Sequence, residues 1–94
     1  MNSWLAELVD GVKAILPQGF RLYLFGSQAN GFARPSSDVD LGILGDRELP
    51  VGIMTQLENF GDSLSTLDKM DWVDLARVSG DFREQALKNA VQLL

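Results

Sequence analysis

Gly26 and Ser27, followed by Asp38 and Asp40, are residues whose types and spacing could do chemistry. A glycine lets the backbone turn tightly, and a serine at a helix start adds a hydroxyl to the amides exposed there. Exposed amides at a helix N-terminus favour an anion such as a phosphate. Two aspartates separated by one residue on a strand point the same way, about 6–7 Å apart. At an effective dielectric of about 20, their repulsion is on the order of 2–3 kcal/mol before screening. A divalent cation turns that liability into a site, because Mg²⁺ is commonly held by one or two carboxylates plus substrate phosphates. A phosphate cradle beside paired carboxylates suits metal-dependent transfer of a nucleotidyl group. Each part alone has a plainer reading: a surface loop for Gly26-Ser27, and a solvated strand face for Asp38 and Asp40. Their succession within one short segment favours the chemical reading.

The elements that must position these residues are legible around them. Arg21 to Phe25 is rich in β-formers and reads as a strand cut off by Gly26. A short helix is expected after the turn, with Gly31 ending it. Val39, Leu41 and Ile43 alternate with Asp38, Asp40 and Gly42, so a second strand turns its apolar side to the core and both aspartates to the other face. Asp74 lies between Val73 and Leu75 and reads as projecting from the outer face of a third strand within 69–78. Paired beside the Asp38–Asp40 strand it would add a third carboxylate; otherwise it is a solvent-facing strand aspartate. Trp72 is most simply a core residue, with base stacking as its alternative role.

Trp4, Leu5, Leu8, Val9, Val12, Ile15 and Leu16 recur at helical spacing, with Ser3 as a candidate N-cap and Pro17 to Gly19 as the break. Pro50 suits the start of a second helix running from about Val51 into the 60s. Its apolar stripe is Ile53, Met54, Leu57, Phe60 and Leu64, and Gly61 marks a kink or an end. Asp81 is expected to cap a last helix whose Phe82, Leu87, Val91 and Leu94 turn inward. The order helix–strand–short helix–strand–helix–strand–helix predicts an α/β (α+β) fold, a small mixed β-sheet backed by helices, with the carboxylates on its open face.

Composition narrows the chemistry further. The 94 residues make one small domain, 1–94, and 46% hydrophobic content suffices for a modest core. The sequence has no run long enough to span a bilayer and no basic-then-apolar leader, so a soluble cytoplasmic protein is the economical reading. With no cysteine and no histidine, catalysis must rest on carboxylates and hard cations. A net charge of −5 with scattered lysines and arginines argues against a DNA- or RNA-binding surface.

Gly26-Ser27-x-Ala29-x-Gly31 followed by Ser37-Asp38-x-Asp40-Leu41 resembles the signature of the DNA polymerase β-like nucleotidyltransferase superfamily. At this length the chain is similar to the minimal nucleotidyltransferase branch, and Trp72-Val73-Asp74-Leu75 and Asp81-Phe82-Arg83-Glu84 extend the likeness over nearly the whole chain. The resemblance implies that Gly26 and Ser27 bind the nucleoside triphosphate and that Asp38 and Asp40 hold two Mg²⁺ ions. It also implies a third carboxylate on a neighbouring strand, matched to Asp74, which would bind the cation nearest the acceptor and help deprotonate its hydroxyl. Gln28 departs from the arginine that relatives often carry there.

Larger relatives add a domain for the acceptor, and this chain is too short to hold one. Minimal nucleotidyltransferases are often paired with a small helical protein of the HEPN type. In such toxin–antitoxin pairs the nucleotidyltransferase is the antitoxin and can silence its partner by AMP transfer from ATP. The resemblance therefore implies a protein adenylyltransferase working in a hetero-oligomer. Two other readings stay open: a small-molecule nucleotidyltransferase completed by a helical substrate-binding subunit, and a non-catalytic nucleotide-binding inhibitory subunit.

Overall fold

A computed structural model describes residues 3–26, 39–64 and 69–94. Apolar side chains at helical spacing shape the first helix, α1 (Ser3–Ile15), which drives Leu8 and Val12 fully into the core. Lys13 lies in its last turn, where a cation complements the helix dipole. Strand β1 (Arg21–Phe25) buries Leu22 and Leu24 on one side. Strand β2 (Val39–Leu44) buries Val39, Leu41 and Ile43 completely and leaves Asp40 half-buried on the reverse face, as its alternation predicts.

A parallel third strand requires a crossover. Helix α2 (Ile53–Asp62) supplies it, burying Leu57 and packing Ile53, Met54 and Phe60 against the same core. Strand β3 (Met70–Asp74) then pairs parallel to β2, while β1 pairs antiparallel to β2. Gly61 sits one residue from the end of α2, and the Ser63 hydroxyl donates to the Phe60 carbonyl at 2.6 Å to close the turn. The two helices approach closely at Gly11, where a Cβ would fall within the Phe60 ring.

Helix α3 (Gly80–Lys88) lies over the opposite face of the sheet. Its Phe82 meets Phe25 edge-on, with ring centroids 6.4 Å apart and planes at 89°. The Arg83 side chain donates from Nε to the Leu75 carbonyl at 2.7 Å and ties the helix to the end of β3.

The structure corrects two expectations for this segment. Ser79 caps α3, its hydroxyl accepting from the Phe82 amide at 3.1 Å, and Asp81 sits in the first turn. The helix stops at Lys88, and Val91 belongs to a short strand, β4 (Val91–Gln92), antiparallel to β1 and 45% exposed. The chain reaches the edge of β1, where backbone pairing satisfies polar groups of both segments, and the Leu93 amide donates to the Leu22 carbonyl at 2.8 Å. The completed mixed sheet has the order β3-β2-β1-β4, with α1 and α2 on one face and α3 on the other. This is the small α/β fold expected. The short helix predicted after Gly26 lies outside the described residues. No helix among the described residues is long and apolar enough to cross a membrane.

Candidate active site

Gly26 follows β1 with φ of +76°, a left-handed conformation that side chains other than glycine's rarely adopt. A Cβ at this position would collide with the carboxylate of Asp40. The backbone turn and the first carboxylate are therefore in contact, and only a residue without a side chain permits it. Phe25 is the register partner of Asp40, so the strand that ends in the turn also fixes the height of the aspartate.

Across the parallel β2–β3 ladder, Asp40 is paired with Asp71. Neighbouring strands lie about 4.7–4.9 Å apart and paired residues share a face, so these two carboxylates stand side by side. Like charges placed opposite one another are destabilising unless something of opposite charge sits between them. The donors are hard oxygens, which suit Mg²⁺ or a similar divalent cation, and the side-chain-free turn at Gly26 lets the Asp40 carboxylate lie directly against the backbone. The residues present fit such an ion. Among the described residues no cluster of three metal-ligating side chains forms. Asp38, the remaining expected ligand, lies outside the described residues, as does Ser27.

Asp74 is placed elsewhere, against the expectation for it. It pairs with Ile43 and lies on the core face with Met70 and Trp72, and it is only 7% exposed. Both carboxylate oxygens are engaged by protein donors. The Leu49 amide donates to Oδ2 at 3.0 Å, the Ala76 amide to Oδ1 at 3.1 Å and Arg77 Nε to Oδ2 at 3.3 Å. Arg77 also lies 3.8 Å from Glu48. Asp74 thus clamps the segment entering α2 onto the end of β3, on the far side of the sheet from Asp40. Its three-residue separation from Asp71 is odd, and odd separations on a strand fall on opposite faces. Trp72, paired with Leu41, packs beside Gly61 on the core face and does not reach the carboxylates.

Asp71 is a candidate site residue that the sequence did not single out, Asp74 having been expected in its place. The available signal was register: in a parallel pair the residue opposite Asp40 must lie near the start of the third strand, and Asp71 does.

The Polymerase beta, Nucleotidyltransferase family matches residues 19–94, from just before β1 through β4. No curated protein matches the chain. Among solved structures, a chain of a toxin–antitoxin complex with AMP-PNP superposes with a TM-score of 0.79 at 24% identity, covering 96% of this chain and 72% of that one. A chain from the complex of a tri-AMPylated Shewanella oneidensis HEPN toxin with its MNT antitoxin gives a TM-score of 0.71 at 22% identity, covering 97% and 69%. A candidate nucleotidyltransferase of Sulfolobus solfataricus gives 0.56 at 24% identity, covering 94% and 75%. At these identities the likeness is one of fold. The family match is of a different kind, because it spans β1, its Gly26 turn, β2 and β3, and it shows that this chain belongs to the polymerase β nucleotidyltransferase family.

Proposed function

We propose that residues 1–94 act as a Mg²⁺-dependent adenylyltransferase domain that moves AMP from ATP onto a HEPN-type helical protein and so serves as its antitoxin. The observation that carries the reading is the Asp40–Asp71 pair beside the Gly26 turn, in a chain of this family. Its likeness to chains from toxin–antitoxin complexes, one with AMP-PNP and one with a tri-AMPylated toxin, supports the choice of nucleotide and partner. In the reaction an acceptor hydroxyl oxygen bonds to the α-phosphorus of ATP, the bond to the β-phosphate oxygen breaks, and pyrophosphate leaves.

Asp38, Asp40 and Asp71 are assigned to holding two Mg²⁺ ions, which when bound neutralise the phosphates and stabilise the attacking and leaving oxygens. Asp71, on the outer strand of the pair, is assigned the side nearer the acceptor, where it accepts the hydroxyl proton. Gly26 lets the backbone approach the triphosphate, and Ser27 adds a hydroxyl donor to it. Asp74 has a supporting role only. Dependence on ATP makes the cytoplasm the compartment in which the enzyme would act, and the net charge of −5 disfavours DNA as acceptor.

The test is mass spectrometry of a co-expressed HEPN partner after incubation with ATP and Mg²⁺. The partner should gain one or more AMP groups with the wild-type chain and none with Asp40→Asn or Asp71→Asn. Neutralisation of the toxin with no change in its mass would replace catalysis by inhibition through binding. AMP appearing on a small molecule instead would move the acceptor to a helical substrate-binding subunit.

A further inference from the structure

The geometry points to the cleft between α3 and the Gly26 turn as the pocket for the nucleobase, with Gln85 and Asn89 selecting adenine; this rests on the adenylyl-transfer reading. A cavity of about 270 Å³ opens there, lined by Phe25, Gly26, Phe82, Gln85, Ala86 and Asn89. Phe82, Gln85 and Ala86 of α3 and its C-cap Asn89 are spaced i, i+3, i+4 and i+7, so one face of the helix looks at the turn. Gly26 is shared: it abuts the Asp40 carboxylate and also lines this cavity, so a ligand here lies next to the proposed reacting phosphates. Small-molecule pockets run from about 300 to 1,000 Å³, and this one, just below that range, suits a single heterocycle rather than a whole nucleotide.

Its chemistry suits a base and not a phosphate. Among the described residues, no charged side chain lines it. Phe82 is held edge-on by Phe25 yet stays 45% exposed, an anchored aromatic ring open to a second flat ring. Gln85 and Asn89 bring carboxamides, each of which can donate and accept at once. Adenine presents an acceptor and an amino donor side by side at N7 and N6, which a carboxamide matches in a bidentate pair. Guanine presents acceptors at both N7 and O6 and is better met by a cation, which the described lining of this cavity does not supply.

The test is calorimetric binding of ATP, GTP and inorganic tripolyphosphate in Mg²⁺ to the wild-type chain, Gln85→Leu, Asn89→Leu and Phe82→Leu, with thermal melts to check folding. Gln85 and Asn89 are exposed, so their replacement spares the core. Wild type should prefer ATP over GTP. Loss of a bidentate amide should erode that preference roughly 5- to 150-fold, and tripolyphosphate affinity should not move. Phe82→Leu should weaken both nucleotides and leave tripolyphosphate alone. An unchanged ATP-to-GTP ratio in folded Gln85→Leu and Asn89→Leu overturns the pocket while leaving adenylyl transfer standing. ATP binding to wild type no tighter than tripolyphosphate does the same. Failure of all three ligands to bind wild type removes the transfer reading itself, and the pocket with it.

Discussion

Asp71 and Asp74 are the same residue type on the same strand, and their environments assign them opposite work. Asp71 stands beside Asp40 across the β2–β3 ladder, where a bound cation would relieve the crowding of charge. Replacing it by asparagine should lower AMP transfer by about a hundredfold or more, the scale on which one preorganised charge-stabilising group acts. The melting temperature should hold or rise slightly, because a repulsion is removed. Asp74 has three protein donors and almost no solvent. Asp74→Ala strands the buried Leu49 amide and should cost about 2–4 kcal/mol in urea unfolding, since an unsatisfied buried group costs about 1–3 kcal/mol and a bond to a charged group about 1.5–3. Transfer per folded molecule should survive. A folded Asp74→Ala protein without activity, or a fully active Asp71→Asn protein, would reverse the assignment. Gly26→Ala adds a third case: left-handed backbone costs an ordinary residue about 1–2 kcal/mol, and its methyl would displace the Asp40 carboxylate. Both stability and transfer should fall together.

At the scale of elements, what was legible depended on whether one face of an element is buried. Val39, Leu41 and Ile43 are all fully buried, so strict alternation identified β2 and put Asp40 on the reverse face. The stripe of α2 was equally plain because water covers its other side. The third strand offers no such contrast. Trp72 on one face and Val73 on the other are both half-buried, so periodicity alone cannot orient the aspartates. The end of α3 was hidden for another reason: Val91 and Leu94 continue a helical spacing, but pairing with the edge of β1 is a long-range event that no local pattern records. Packing also overrides propensity at Gly11. Alanine is better than glycine in a helix by about 1 kcal/mol. Here its methyl would enter the Phe60 ring, and overpacking costs about 1–3 kcal/mol. Gly11→Ala should therefore be neutral to destabilising alone and clearly stabilising in a Phe60→Leu background. Additive effects in that double-mutant cycle, measured by urea unfolding, would show that the two helices do not meet there.

For the whole molecule, the acidic balance and the carboxylate pair make stability a reporter of site occupancy. The chain carries a net charge of −5, and Asp40 and Asp71 concentrate part of it on one face of the sheet. A cation bound with a nucleotide binds the folded state and not the unfolded one, so it must raise the melting temperature in proportion to RT ln(1 + [L]/Kd). At a hundred times Kd this is about 2.7 kcal/mol. For a domain of this size each 1 kcal/mol moves the midpoint by roughly 4–8 °C. Mg²⁺ with a non-hydrolysable ATP analogue should thus raise the midpoint by about 10 °C or more in scanning fluorimetry. The analogue with EDTA should give much less, because unneutralised phosphates then face Asp40 and Asp71. Asp40→Asn should lose most of the Mg²⁺-dependent part and keep the metal-free part. An equal shift with and without Mg²⁺, or a full Mg²⁺-dependent shift in both Asp40→Asn and Asp71→Asn, would mean that the nucleotide binds away from this face and that the paired carboxylates are only a surface feature of the fold.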